Sequence, residues 1–419
     1  MIVYRIAIQL SKAGIWLAAA LGHPKARLAW RGRIGWLGRL MAAEETARKL
    51  GKTGPWLHLH CASLGEYEQG APILAAWRRQ HPHTPILLTF FSPSGVEGVG
   101  ETDADHVDYL PFDTRGTMRR WSTALEISDT VLIKYELWPE MLRGLHDAGT
   151  RIHLVAARFD PGRHPLNWAG GFIRKHLKFL STLQVQDAAS AEAIARYGHT
   201  ATVTGDPRVD RVTETVHGTA SPAVRARLDR IESWKADRKL IVVGSAWPPE
   251  WSALLNALDD HPNWAILWAP HEINSRSAAD WSAHGDTDTL STWDERSTRP
   301  SGQRLILDEM GVLKYAYGLA DFAVVGGGWG QGVHNVLEPA AFGVPVLCGP
   351  QVAGFREIAA LSQCGGLQVC DHEEDMQAAC RSWIEAPDDR KRAGDSARSW
   401  VSQHVGATNR IAVTVQKAR

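Results

Sequence analysis

The chain has 419 residues, 44% of them hydrophobic and 22% charged, and its formal net charge is +0. That length exceeds one ordinary core and predicts two domains, while the composition excludes a disordered chain. The balanced charge argues against a nucleic-acid binder that works through bulk positive charge. The five cysteines, Cys61, Cys348, Cys364, Cys370 and Cys380, form no CxxC pair. They fit reduced thiols in a cytoplasmic protein and offer no zinc-ligand spacing.

The first 21 residues are apolar but carry Arg5 and Lys12, and a basic flank follows with Lys25, Arg27, Arg31, Arg33 and Arg39. A cleaved signal peptide fits poorly, because Lys12 interrupts the apolar region and the basic cluster comes after it. A spanning helix of about 20 residues is long enough, and an interfacial helix tolerates Arg5 and Lys12 best. An ordinary amphipathic first helix is the plain alternative. The basic flank favours the cytoplasmic side of a membrane. Residues 1–22 are therefore set apart as a membrane-associated segment.

From Trp56 onward, strands and helices alternate. "WLHLHC", "PILLTF", "VDYLPF", "DTVLIK", "RIHLVAA" and "TLQVQD" read as strands, each with a helical stretch near it. This pattern predicts a parallel sheet covered on both faces, with ligands outside the carboxyl ends of its strands. Residues 23–206 form the first such domain. The polar stretch 207–222 reads as a linker. The alternation restarts in 223–419 with "KLIVVGSA", "NWAILWAP", "DFAVVGGG" and "VPVLCGP" as strands. The expected architecture is α/β, two doubly wound Rossmann-like domains facing a cleft.

Four junctions carry candidate chemistry. In "HCASLGEYEQG", Ser63 leads into a helix whose first turn holds Glu66. Glu66 at the carboxyl end of a first strand suits a general base, or it complements the helix dipole. His58 and His60 share a strand face and read as packed core histidines. In "TFFSPSG", Ser92 or Ser94 caps a helix and Gly95 offers backbone N–H groups. Glu136 and Arg158 follow later strands at the same edge. In "GGGWGQGVHNVLEPAA", Gly327 and Gly328 suit a phosphate-holding turn, or a purely structural one. A helix starting near His334 places His334 and Glu338 on one face. The carboxylate there suits a ribose diol; a His/Glu metal pair lacks further ligands.

In order and spacing, "ASLGEYEQGAPIL", "TFFSPSG", "YLPFD", "YELWPEM", "AARFD", "GDPRVD" and the Ala320–Pro350 block resemble the bacterial 3-deoxy-D-manno-octulosonic acid (Kdo) transferases. The resemblance runs from the N-terminal segment to about Gly366. It implies the GT-B glycosyltransferase fold, a first domain taking a tetra-acylated lipid A precursor at the inner membrane, and a second taking CMP-Kdo. The glutamate of the family's "SVGE" falls on Glu66 as the base, and the second glutamate of "ETELWP" on Glu136. The "GGHN.LE" motif falls on Gly332 to Glu338, through His334, Asn335 and Glu338. The arginine of "NARLS" falls on Arg158 and the lysine of "G.LKFD" on Arg208.

Three departures stand out. Lys134 replaces the first acid of "ETE". "APHEINSRS" leaves His271, with Arg276, where the family has "PRHPER". "GSAWPPEW" replaces "STHEGEE", keeping Ser245 and placing Glu250 near the later acids. The resemblance implies inverting transfer without cofactor or metal, since CMP leaves with one phosphate that cations and a helix N-terminus can stabilise. Donor residues are then Arg208, Ser245, His271, Gly327, Gly328, His334, Asn335 and Glu338; acceptor residues are Ser63, Ser94, Gly95 and Arg158. The alternatives are a GT-B enzyme acting on a UDP-sugar, or a silent binding protein on the same fold.

Overall fold

Near-continuous runs of β-branched and aliphatic residues build two all-parallel sheets in the computed structural model. The structure describes residues 1–163, 165–167, 170–254, 260–272, 287–294, 302–330 and 332–418. Two compact units result: residues 1–211 with 406–419, and residues 212–405.

The first unit holds seven strands: β1 (Leu57–Cys61), β2 (Ile86–Phe90), β3 (His106–Tyr109), β4 (Asp129–Ile133), β5 (Arg151–Ala157), β6 (Thr182–Val185) and β7 (Thr202–Val203). Their order is β3-β2-β1-β4-β5-β6-β7. Register places His58 opposite Leu87 and Thr130, and His60 opposite Thr89 and Leu132. β1, β2 and β4 are buried throughout, so both faces are covered, as parallel sheets require. Before β1 come three helices, α1 (Ile2–Ala20), α2 (Pro24–Arg33) and α3 (Trp36–Lys49). The helices α4 (Leu64–Gln80), α5 (Pro93–Gly98), α6 (Arg115–Ala124) and α7 (Pro139–Asp147) follow β1 to β4 in turn.

The second unit holds β8 (Lys239–Ala246), β9 (Trp264–Pro270), β10 (Thr287–Thr289), β11 (Arg304–Ile306), β12 (Phe322–Val325), β13 (Val346–Cys348) and β14 (Leu367–Val369). Their order is β10-β11-β9-β8-β12-β13-β14. In each sheet the winding direction reverses beside the first strand, between β1 and β4 and between β8 and β12. Such a switch point opens a crevice at the carboxyl ends of the strands.

Two domain boundaries differ from the sequence expectation. Residues 207–217 of the expected linker are the helix Pro207–His217. Val209, Val212 and Val216 recur at helical spacing, and Val209 and Val212 are buried. The C-terminal helix Ala407–Lys417 belongs to the first unit. Asp210 accepts hydrogen bonds there from the N–H groups of Gly406 and Thr408, at 2.5 and 2.6 Å. Ile411 and Val415 join the core of Leu57, Leu59 and Val131.

The apolar α1 is long and apolar enough to cross a membrane, yet of its residues only Ala19 is buried. One flank is docked: the Tyr4 hydroxyl donates to Asp113 at 2.5 Å, and Arg5 pairs with Glu140 at 3.1 Å. Ile2, Val3, Ile6, Leu10, Trp16 and Leu17 face outward, and Leu28, Ile34, Leu37 and Met41 of the following segment are also exposed. The basic flank is smaller than the sequence suggests. Arg33 is buried against Phe91, donating to its carbonyl at 2.6 Å, and Arg39 pairs with Asp108. Lys25, Arg27 and Arg31 stay exposed.

Candidate active site

The chain leaves β1 through Ala62 and Ser63 and enters α4, whose first turn contains Glu66. The Ser63 carbonyl accepts the N–H groups of Glu66 and Tyr67, at 3.2 and 3.1 Å. Glu66 folds back, and its Oε2 accepts the Ala62 N–H at 2.6 Å. The carboxylate is half-buried. Burial pushes its proton affinity up; the Ala62 hydrogen bond opposes this, the negative charge of Glu136 adds to it, and Lys134 and His60 work against it. The net direction is upward, towards the working range of a general base.

Glu136 sits just past β4 and is buried. Its Oε2 accepts from the Trp138 indole at 2.5 Å and lies 3.3 Å from His60 Nε2. Burial alone would raise this carboxyl. The hydrogen bond and charge of His60, with the Trp138 indole, outweigh burial and hold it below the usual range. The two acids are thus driven apart, one kept ionised and one made more basic, the pattern that separates roles in carboxylate pairs. Lys134 lies between β4 and Glu136 with φ of 60°, a left-handed conformation, and its N–H donates to Val155 at 3.0 Å. Non-glycine residues in that region are uncommon and cluster at functional sites.

The other first-unit residues reach the same sheet edge. The Ser92 N–H donates to the Ala62 carbonyl at 2.8 Å, tying the loop after β2 to the loop after β1. Ser92 caps α5, and Ser94 is exposed with its hydroxyl 2.8 Å from that of Ser92. Gly95 is not an open donor. Its N–H is taken by the Ser92 carbonyl, and a Cβ there would lie 2.2 Å from the Phe90 ring. Glycine is required by packing. Arg158 follows β5 and pairs with Asp160 at 2.8 Å. Arg208 lies in the first unit, at the start of the helix Pro207–His217, and pairs with Asp206 at 2.6 Å.

In the second unit the switch point joins the ends of β8 and β12. Ser245 has φ of 51°. The loop Gly326–Gly328 presses against its neighbours: a Cβ would lie 2.3 Å from the Ser245 carbonyl at Gly326, and 2.5 Å from Gly349 at Gly328. Gly327 has φ of 92°. The structural reading accounts for the triplet.

The expected phosphate cradle is also occupied from within. Glu250, fully buried, accepts the Gly327 N–H at 2.8 Å and the Trp247 N–H at 3.0 Å. Burial raises this carboxyl, and the backbone N–H groups of Glu250 itself, Trp247, Gly327 and Gly328 oppose that rise. The N–H groups offered to a phosphate thus already hold a carboxyl group.

His334 is not on a helix. Its N–H donates to Gly326 at 3.1 Å, and the helix begins at Leu337, whose N–H donates to Asn335 Oδ1 at 3.1 Å. The expected shared face of His334 and Glu338 therefore does not exist. Asn335 Nδ2 instead donates to Glu338 at 3.2 Å, joining the two residues assigned to a ribose. His334 enters a column of rings. Trp247 and His271 stack at 4.5 Å, His271 and His334 lie 4.6 Å apart, and the Trp247 indole donates to His334 Nε2 at 3.4 Å. Burial and His271 both lower the proton affinity of His334. Arg276 lies outside the described residues.

Sequence reasoning passed over Trp138, Trp247 and the core role of Arg33. The spacing Glu136-x-Trp138 placed an indole donor within reach of the acid, the one legible signal among the three.

Two doubly wound parallel sheets, each with its candidate residues at the switch point, define the GT-B glycosyltransferase fold. Solved structures share it: the UDP-GlcNAc 2-epimerase of Neisseria meningitidis bound to UDP-GlcNAc has a TM-score of 0.64 at 11% identity, covering 87% of this chain and 100% of that one. A putative UDP-N-acetylglucosamine 2-epimerase from Listeria monocytogenes has a TM-score of 0.60 at 13% identity, over 87% and 96%. Within that fold, residues 29–211 match the family described as 3-deoxy-D-manno-octulosonic-acid transferase. The chain is 26% identical over 373 residues to the Haemophilus influenzae 3-deoxy-D-manno-octulosonic acid transferase, covering 85% of each. It is 27% identical over 374 residues to that of Bordetella pertussis, covering 84% of this chain and 85% of the relative. Over most of its length the chain is thus similar to the Kdo transferases.

Proposed function

We propose that the chain transfers Kdo from CMP-Kdo to a tetra-acylated lipid A precursor, with inversion, at the cytoplasmic face of the inner membrane. The observation that carries this reading is Glu66: a half-buried carboxylate of raised proton affinity at the carboxyl end of β1, near an acid held ionised. Glu66 takes the proton of an acceptor sugar hydroxyl as its oxygen attacks the anomeric carbon. The bond from that carbon to the CMP phosphate oxygen breaks, through a transition state of oxocarbenium character. One phosphate leaves, so charge stabilisation falls to side chains of the second unit such as His271 rather than to a metal. The Gly327 and Gly328 N–H groups, engaged by Glu250, are withdrawn from that role. Asn335 and Glu338 suit the ribose hydroxyls, with Ser245 beside them on the donor side. Arg158 suits an acidic group of either substrate, and Ser63 and Ser94 suit the acceptor sugar. The outward apolar side of α1, with Lys25, Arg27 and Arg31, supplies lipid-surface attachment.

Nucleotide selectivity tests the donor assignment. CMP should raise the melting temperature and UDP should not. Protection by UDP alone would replace this reading with a UDP-sugar enzyme.

A further inference from the structure

His60 lies at the carboxyl end of β1, fully buried, and the proposed chemistry leaves it without a role. Its hydrogen bonds form one continuous chain. Nε2 is 3.3 Å from Glu136 Oε2. Nδ1 is 3.1 Å from the Thr89 carbonyl and 2.8 Å from the Thr89 hydroxyl. The same hydroxyl is 2.8 Å from His58 Nε2, and His58 Nδ1 is 3.2 Å from the Thr130 hydroxyl.

The donors and acceptors can be counted. A carboxylate and a carbonyl oxygen only accept. Both ring nitrogens of His60 therefore face an oxygen that needs a proton from them. The Thr89 hydroxyl has one proton, which serves His58 Nε2 while its oxygen accepts from His60 Nδ1. His58 then donates from Nδ1 to Thr130. All five contacts are satisfied only with His58 neutral and His60 carrying two protons; a neutral His60 that took the Thr89 hydroxyl proton at Nδ1 would turn that nitrogen's lone pair on the Thr89 carbonyl at 3.1 Å. Burial and the neighbouring His60 push His58 well below the usual imidazole range, which agrees with a neutral ring there.

We propose that His60 is a buried imidazolium and a positioning residue: it holds Glu136 ionised and oriented, and through that pair sets the basicity of Glu66. This inference rests on the proposed role of Glu66 as base. The charged and titratable groups facing the cluster are Glu66 from α4, Lys134 and Glu136 after β4, and His58 and Cys61 from β1. Cys61 is held neutral, since burial, then Glu66 and Glu136, push its thiol well up.

The sign is fixed by charge. Removing the imidazolium takes a cation from beside two acids, so both bind protons more tightly. His60→Gln should move the acid limb of the kcat profile upward by about one pH unit or more, with activity recovering at alkaline pH. His58→Gln, equally buried but neutral in the chain, should leave the limb in place. A loss of kcat at every pH without a shift would reduce His60 to packing and overturn the proposal.

Ring 15N spectroscopy covers the case in which His60→Gln does not fold. A background with His106→Gln and His153→Gln is needed, because His153 faces a carboxylate, Asp129, at 3.2 Å and His106 faces Asp108 at 3.8 Å. At pH 8.5 one histidine should still bear protons on both nitrogens; none doing so would overturn the proposal. If the unaltered chain transfers no sugar, the proposed reaction fails, while the ring signal still decides the state of His60.

Discussion

Replacing Glu66 by Gln probes the proposed base with little structural change. The side-chain carbonyl of Gln can still accept the Ala62 N–H that Glu66 Oε2 accepts at 2.6 Å. Size is kept, and the charge removed is one that burial opposes while Lys134 and His60 favour it. Stability should change by under about 1 kcal/mol. An amide cannot take the acceptor proton. Loss of a general base costs roughly 10²–10⁴ in rate, or about 3–5 kcal/mol of barrier. The assay is single-turnover transfer with saturating CMP-Kdo, beside CMP titration by thermal shift. The expected result is kcat lower by at least about 100-fold with CMP affinity unchanged. Turnover within about threefold of the parent would refute the assignment, since that is under 1 kcal/mol of barrier.

Three further outcomes follow from other parts of the molecule. Glu250→Ala strands buried N–H groups of Trp247 and Gly327 at roughly 1–3 kcal/mol each, so the melting temperature and CMP protection should fall together, as differential scanning fluorimetry would record. Asp113 has its carboxyl pushed up to about 6, mainly by burial, with the Tyr4 hydrogen bond opposing; its contribution to stability is full below about pH 4 and lost as pH rises through about 6. Asp113→Asn should therefore stabilise the chain at pH 7.5 by up to roughly 3 kcal/mol, with the gain vanishing below about pH 4 in urea melts. Transfer should survive EDTA; loss that added metal restores would reopen a metal role for His334 or Glu338.

The alternation of buried strands with helices was legible because parallel strands are covered on both faces, and it led directly to two doubly wound sheets. The positions of Glu66 and Glu136 at the carboxyl edge of the sheet were legible because each follows a strand. What escaped was set by tertiary contacts. The Gly326–Gly328 loop looks like a phosphate turn, but nothing local announces that Glu250, some 77 residues away, fills it. The helix expected from His334 was legible in principle: Pro339 lacks an N–H and fits only a first turn, which puts the start near Leu337. The linker hid a helix because three valines among polar residues leave a narrow apolar stripe. The return of the C-terminal helix to the first unit depends on Asp210 meeting Gly406 and Thr408, a pairing that no local pattern contains. His60 read as core, and it is buried; its facing Glu136 required the register of β1 against β4.

Mass spectrometry of the lipid product reads the proposed transfer itself. The purified chain is incubated with freshly generated CMP-Kdo and a tetra-acylated lipid A precursor. A mass gain of one or more Kdo units is expected, lost in Glu66→Gln. An unchanged lipid mass, from a chain that CMP does not stabilise either, would contradict it.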